Sequence, residues 1–309
     1  MLPIAVIVLV GLLVIAELYA RFRLGLGDPP LYVADPEIEY LPLPSRTYKR
    51  FGNIISYNAH SMRSREFPAR KLDPAERRVL VLGDSIVNGG AQTDQADLAT
   101  TLLEARLAAA LDSPVVFANV SASSWGPPNY LAYVKRFGLF AADVVVIVVN
   151  SDDYADAPTF EPLDDRRPRR RPLSALLELV ERSVRQRLRR RRNRKKKQQP
   201  VCAEATRACL GALRELIEMG LAEEASVLLA QHLTQDELER GPEQGHREIA
   251  RVVGEMGLVP LALGPAFAES LRQGKNPYRD RYHPNEQGQR VIAETLYEVI
   301  LEALSATKT

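Results

Sequence analysis

The chain has 309 residues, 46% hydrophobic and 26% charged, with a formal net charge of +2. That composition is ordinary for a folded protein and sets aside a largely disordered chain. The length accommodates two domains or one large α/β domain.

The amino terminus departs from this average. Residues 2–16 carry no charge, and the apolar character resumes after Glu17 through Ala20, just before Arg21 and Arg23. A run of this length approaches the ~20 residues that cross a bilayer. A cleaved signal peptide competes, since Leu18-Tyr19-Ala20 loosely resembles a cleavage site. The missing positive charge ahead of the run and its length favour an uncleaved anchor over residues 1–24. Arg21 and Arg23 would hold the rest of the chain in the cytoplasm by the positive-inside tendency, but long domains translocate largely regardless of charge.

Residues 25–74 are rich in proline and aromatics and read as a juxtamembrane collar or an extended linker. The stretch 48–58, centred on Gly52-Asn53, predicts a hairpin. Phe51, Ile54, Ile55 and Tyr57 there would be out of place in a solvated linker. From residue 75 the pattern becomes one of apolar runs alternating with helical periodicity. Strands are expected at 79–82, 115–120, 144–149, 226–230 and 258–263. Helices are expected at 96–111, 130–137, 203–219, 243–256 and over the apolar positions 291–304. Such alternation implies an α/β fold, a three-layer, flavodoxin-like doubly wound parallel sheet behind an N-terminal transmembrane helix.

Between residues 160 and 200 an insertion interrupts this domain of 75–309. Residues 166–197 hold sixteen of the forty-one Lys and Arg against only Glu178 and Glu181, a net +14 that leaves −12 for the rest. Leu173, Leu176, Leu177, Val180, Val184 and Leu188 recur at helical spacing, predicting a basic amphipathic helix from 173 to about 190. The like-charge run 189–197 is expected to stay without structure. The insertion has three readings: a helix on an anionic lipid surface, a polyanion site, or a lid over the acyl pocket.

Two short motifs carry chemistry. Gly83-Asp84-Ser85 closes the first strand, where the backbone turns at a carboxyl end and ligands bind in open α/β sheets. Asp280-Arg281-Tyr282-His283 lies just before the last helix. A serine hydroxyl becomes a nucleophile when an imidazole takes its proton and a carboxylate orients that imidazole. The two motifs, nearly two hundred residues apart, supply Ser85, His283 and Asp280 in those roles if the fold joins them. His232, after the fourth strand, either lines the same crevice or is a satisfied loop histidine. His60 and His246 have no supporting constellation. Cys202 and Cys209, placed on one helix about 10 Å apart, read as buried thiols and not a disulfide. No metal-ligand spacing and no phosphate loop occurs, so no cofactor and no metal is expected.

These residues resemble the SGNH or GDSL hydrolases over roughly 75–305. The blocks at 81–90 and 280–288 are similar to that family's first and last signatures, and Asn119 to Asn129 and Asn150 to Tyr154 occupy the places of its second and third. The resemblance implies an ester hydrolase with nucleophile Ser85, base His283 and acid Asp280, acting on an acylated small molecule or carbohydrate. It implies an extracytoplasmic catalytic domain on a single-pass anchor. O-acetyl transfer to an exopolysaccharide and non-catalytic binding of an acylated glycan are the alternatives. The oxyanion donors it implies are the serine N–H, the N–H of Ser124 or Gly126, and Asn150. The family's usual amide is replaced by Asp152, whose ionised carboxylate would oppose an oxyanion.

Overall fold

The computed structural model describes residues 2–193 and 202–306. Helix α1 (Leu2–Phe22) leads into two antiparallel hairpins, β1 (Tyr32–Asp35) with β2 (Glu39–Pro42) and β3 (Arg46–Arg50) with β4 (Asn53–Tyr57). The expected hairpin at 48–58 is the second of these. Its turn is Phe51-Gly52, both at positive φ (54° and 89°), the conformation that suits a two-residue hairpin loop.

The central sheet is built of β5 (Arg77–Gly83), β6 (Val115–Ser121), β7 (Val144–Val149), β8 (Ser226–Gln231) and β9 (Leu261–Ala262), all parallel, in the spatial order β6-β5-β7-β8-β9. Numbered within the sheet this is 2-1-3-4-5, the flavodoxin-like order, and its direction reverses between β5 and β7. The strands are Val/Ile/Leu runs because both faces are covered. Alternate side chains face opposite sides. Leu80, Leu82, Val145 and Ile147 join one core cluster, while Val79, Val81, Val144 and Val146 join the other.

On the first face lie α4 (Pro127–Phe137), α6 (Ala203–Ala222) and α8 (Gln244–Glu255); on the second lie α3 (Ala99–Leu111), α9 (Gly264–Arg272) and α10 (Glu286–Ala306). Two short helices, α2 (Ser85–Asn88) and α7 (Gln235–Arg240), sit at strand ends, and α5 (Ala175–Asn193) is the helix of the insertion. The collar is packed structure. Ile38, Tyr40, Met62 and Phe67 are buried in the same cluster as Trp125, Tyr130 and Tyr133 of the catalytic sheet's first face.

Several expectations are corrected. The helix anticipated from residue 96 begins at Ala99, because Asp94 caps a separate 3-10 turn over Gln95–Asp97 by accepting the Ala96 N–H, and Leu98 is extended after it. The fifth strand, expected over 258–263, pairs only at Leu261 and Ala262. Helix α5 runs to Asn193, past the expected end, since arginine is a good helix former and an existing helix extends cheaply. Residues 194–197 of the like-charge run lie outside the described residues. Cys202 is exposed at the position preceding α6; only Cys209 is buried, which pushes its thiol up to about 12.

Helix α1 is long and apolar enough to cross a membrane, with mean hydropathy 2.5 over Pro3–Phe22, a property shared by anchors and signal sequences. Its carboxyl end is built into the folded domain. The Glu17 carboxylate accepts the N–H groups of Ala175 and Leu176, both at 2.9 Å, capping the first turn of α5. Ala20, Leu26 and Ala175 form a small buried cluster. Beside it Arg50 is ion-paired with Glu178, which also accepts the Gly27 N–H at 2.7 Å.

Candidate active site

The carboxyl ends of β5 and β7 flank the switch point, so the residues that leave each strand face one crevice. Asp84 and Ser85 leave β5; Asn150 leaves β7. Ser85 opens α2, whose first-turn N–H groups have no intrahelical acceptor. Asp84 caps it, accepting the Ile86 N–H at 2.8 Å.

The loop 273–285 brings the other motif to the same place. His283 Nε2 is 3.0 Å from Ser85 Oγ, and its Nδ1 is 3.0 Å from Asp280 Oδ2. Burial works to raise the Asp280 carboxyl, but N–H donation from His283 (2.8 Å) and Tyr282 (2.9 Å) outweighs it and holds the group below its ordinary value. An ionised carboxylate only accepts, so Nδ1 carries the proton and the Nε2 lone pair faces the serine hydroxyl. The structure therefore joins Ser85, His283 and Asp280 in one hydrogen-bonded relay.

Of the expected oxyanion donors, Ser124 has left-handed φ (61°) and an N–H with no acceptor among the described residues. Gly126 does not offer its N–H: Asn129 Oδ1 accepts it at 2.9 Å, as part of the start of α4. Asn150 commits one amide hydrogen to Asp84 Oδ2 at 3.1 Å, while its Oδ1 accepts the Asp152 N–H at 2.7 Å. Asp153 closes this turn by accepting the Asn150 N–H at 2.7 Å. Burial raises the carboxyls of Asp84, Asp152 and Asp153, and lifts Asp156 to about 6.

Residues with no sequence signal hold these parts in place. Arg63 of the collar is fully buried and donates to the carbonyls of Asn88, Gly90 (2.6 Å) and Thr93 (2.6 Å), caging the loop after α2. Gln289 of α10 accepts from Ala99 N–H at 3.0 Å and donates to the Ile86 carbonyl at 2.7 Å. His232 does not line the crevice. It is buried between the rings of Phe267 and Tyr278, and its Nε2 lies 3.0 Å from the Tyr282 carbonyl, one residue before His283. A carbonyl only accepts, so Nε2 carries the proton; burial pushes the imidazole down to about 4 and keeps it neutral. His246 Nε2 lies 3.3 Å from Glu237 Oε1 nearby, and His60 packs edge-on against Phe140. Among the described residues no cluster could hold a metal ion.

Several solved structures are similar to this chain at low identity. A member of the lipolytic G-D-S-L family from Veillonella parvula is 13% identical, with 72% of this chain and 97% of that one covered at a TM-score of 0.45. A psychrotrophic esterase from Pseudoalteromonas sp. is 16% identical, with 74% and 99% covered at 0.46. An acetyl xylan esterase from Geobacillus stearothermophilus is 15% identical, with 74% and 94% covered at 0.46. Among curated proteins, none matches the sequence. The model of the GDSL-like lipase/acylhydrolase family matches residues 81–291, from the strand before Ser85 to the helix after His283. With two thirds of its length matched and both motifs inside the match, the chain belongs to the GDSL-like lipase/acylhydrolase family, whose members are ester hydrolases.

Proposed function

We propose that this chain is a membrane-anchored serine esterase that removes O-acyl groups, with an acylated carbohydrate as the carrier. The observation that carries the chemistry is the relay from Ser85 Oγ through His283 to Asp280, with both contacts at 3.0 Å. His283 takes the serine proton as Oγ attacks the ester carbonyl, and ionised Asp280 stabilises the imidazolium that forms. The first-turn N–H of Ser85 and the open N–H of Ser124 receive the oxyanion. His283 then gives its proton to the leaving alkoxide, and water, deprotonated by the same nitrogen, releases the acid. The carbohydrate carrier rests on the family's extracytoplasmic members and on no residue of this chain.

The anchor is proposed to be uncleaved, because removal at Ala20 would strip Glu17 from the start of α5 and Ala20 from its cluster. An extracytoplasmic domain is proposed. It rests on the family resemblance alone, against Arg21 and Arg23, whose place after the span favours a cytoplasmic domain. Leu177, Val180 and Val184 are exposed along the basic helix that starts beside the end of α1, with Leu173 exposed just before it, which supports α5 lying on an anionic lipid surface.

The test uses the full chain in mild detergent with a fluorophosphonate probe and p-nitrophenyl acetate. Labelling and turnover that both disappear in Ser85→Ala, with turnover also lost in His283→Ala, are the expected result. Folded wild-type protein that neither labels nor turns over would remove the serine-esterase reading. Protease protection of the domain in intact cells, lost on outer permeabilisation, tests the topology.

A further inference from the structure

Beside the serine, the collar and the first half of the insertion enclose a cleft of about 910 Å³. Its near end is made of residues that flank the relay: Gly90 after α2, Ser123 before the open N–H, and Arg279 before Asp280. Tyr32 and Tyr57 of the collar wall one side, and residues 163–170 wall the other. That second wall is pinned and does not swing as a lid. The Tyr32 N–H donates to the Pro168 carbonyl at 3.0 Å, and Arg171 pairs with Asp28 at 2.8 Å.

Seven arginines line this cleft against four carboxylates. Some are matched within the protein: Arg50 and Arg182 face Glu178, and Arg166 faces Asp164. Arg169 and Arg170 form no ion pair among the described residues. Arg167 stacks 4.2 Å from the Tyr40 ring, with a buried Nε that has no acceptor. Arg279 reaches back to the Gly89 carbonyl at 3.3 Å and so joins the cleft to the serine loop. Guanidinium forks that lack an internal partner match planar carboxylates. The volume lies at the upper end of the range for ligand sites, about 300–1,000 Å³.

We propose that this cleft holds an acidic polysaccharide, so that the ester cleaved at Ser85 is carried by a uronate-containing glycan. A phospholipid headgroup is the competing occupant, which the vesicle measurement below distinguishes. The substrate class rests on the serine-esterase reading; occupation of the cleft does not.

Two measurements on the full chain in neutral detergent separate them. Calorimetry with unacylated oligogalacturonate reads the cleft without chemistry. Binding is expected to weaken as NaCl rises from about 50 to about 500 mM. It is expected to fall about tenfold in R169Q/R170Q and less in R169K/R170K, at unchanged thermal midpoint. Kinetics then compares kcat/KM for O-acetylated polygalacturonate with that for O-acetylated xylan. A preference for the acidic polymer of about tenfold, shrinking in R169Q/R170Q, is expected. Oligogalacturonate that fails to bind, or binds both variants as well as wild type, overturns the proposal. So does binding to phosphatidylglycerol vesicles alone, which assigns the arginines to lipid. Binding without turnover of any ester keeps the cleft and removes the esterase.

Discussion

Replacing His232 by Phe separates two effects that pH turns against each other. In the native protein the imidazole is neutral, held at about 4 by burial, and donates to the Tyr282 carbonyl at 3.0 Å. Above pH 7 the variant loses that bond and leaves a buried carbonyl unpaired, a cost of about 1–3 kcal/mol. Below the unfolded pKa of about 6.5 the sign changes: the unfolded chain binds a proton that the native chain refuses, so wild type loses stability as pH falls from about 6.5 towards 4. At pH 5 that loss is about 2 kcal/mol, and Phe does not incur it. Taking the middle of that range, about 2 kcal/mol, the variant should melt lower than wild type by roughly 4–8 °C at pH 8, at about 2–4 °C per kcal/mol, with the gap closing near pH 5. Trp125, the single tryptophan and fully buried, reports the transition by fluorescence. Contributions from His246 and Glu237, in contact with each other nearby, are common to both proteins. Because the freed carbonyl precedes His283, kcat should also drop about 10- to 100-fold. A melting gap that stays constant from pH 5 to 8 would refute a neutral, buried donor at this position.

Asp280→Asn should fold normally, since the side chain is half exposed, but lower kcat for p-nitrophenyl acetate by about 10³–10⁴-fold through loss of the imidazole's orientation. Asp152→Asn replaces a carboxyl with an amide donor where the family pattern has one. A rise in kcat of about tenfold or more is expected, and an unchanged kcat would show that this side chain does not face the oxyanion. Glu178→Ala leaves Arg50 buried without its partner and should cost about 3–5 kcal/mol in denaturant unfolding, whereas Arg50→Met with Glu178→Leu should recover most of it.

The relay was legible because each of its halves is local: a strand-turn-helix around Ser85, and a carboxylate three residues before an imidazole. The sheet was legible because doubly covered parallel strands write themselves as unbroken apolar runs at 79–82 and 144–149. The β1–β2 hairpin was not, because its four-residue strands, one ending in Pro42, fall below the length at which alternation is visible. Arg63, His232 and Gln289 act through long-range bonds to backbone groups, and nothing in their own neighbourhoods records the partners. Gly126 is different. Gly-Pro-Pro-Asn is itself a helix start, with proline in the first turn and an amide three residues on, and it foretells that the glycine N–H is already taken.

The join between α1 and the domain has a mechanical consequence. Only residues 23–31 separate the apolar helix from β1, and each end is fastened: Glu17 caps α5, Gly27 donates to Glu178, and Asp28 holds Arg171. A flexible tether would let the domain sweep a hemisphere whose radius grows with linker length. If α1 is the membrane anchor proposed above, this stiff mount instead fixes the height and heading of the serine crevice above the lipid plane. Such an enzyme works on what is presented at one level, and lengthening its stalk changes which esters it meets without altering its chemistry.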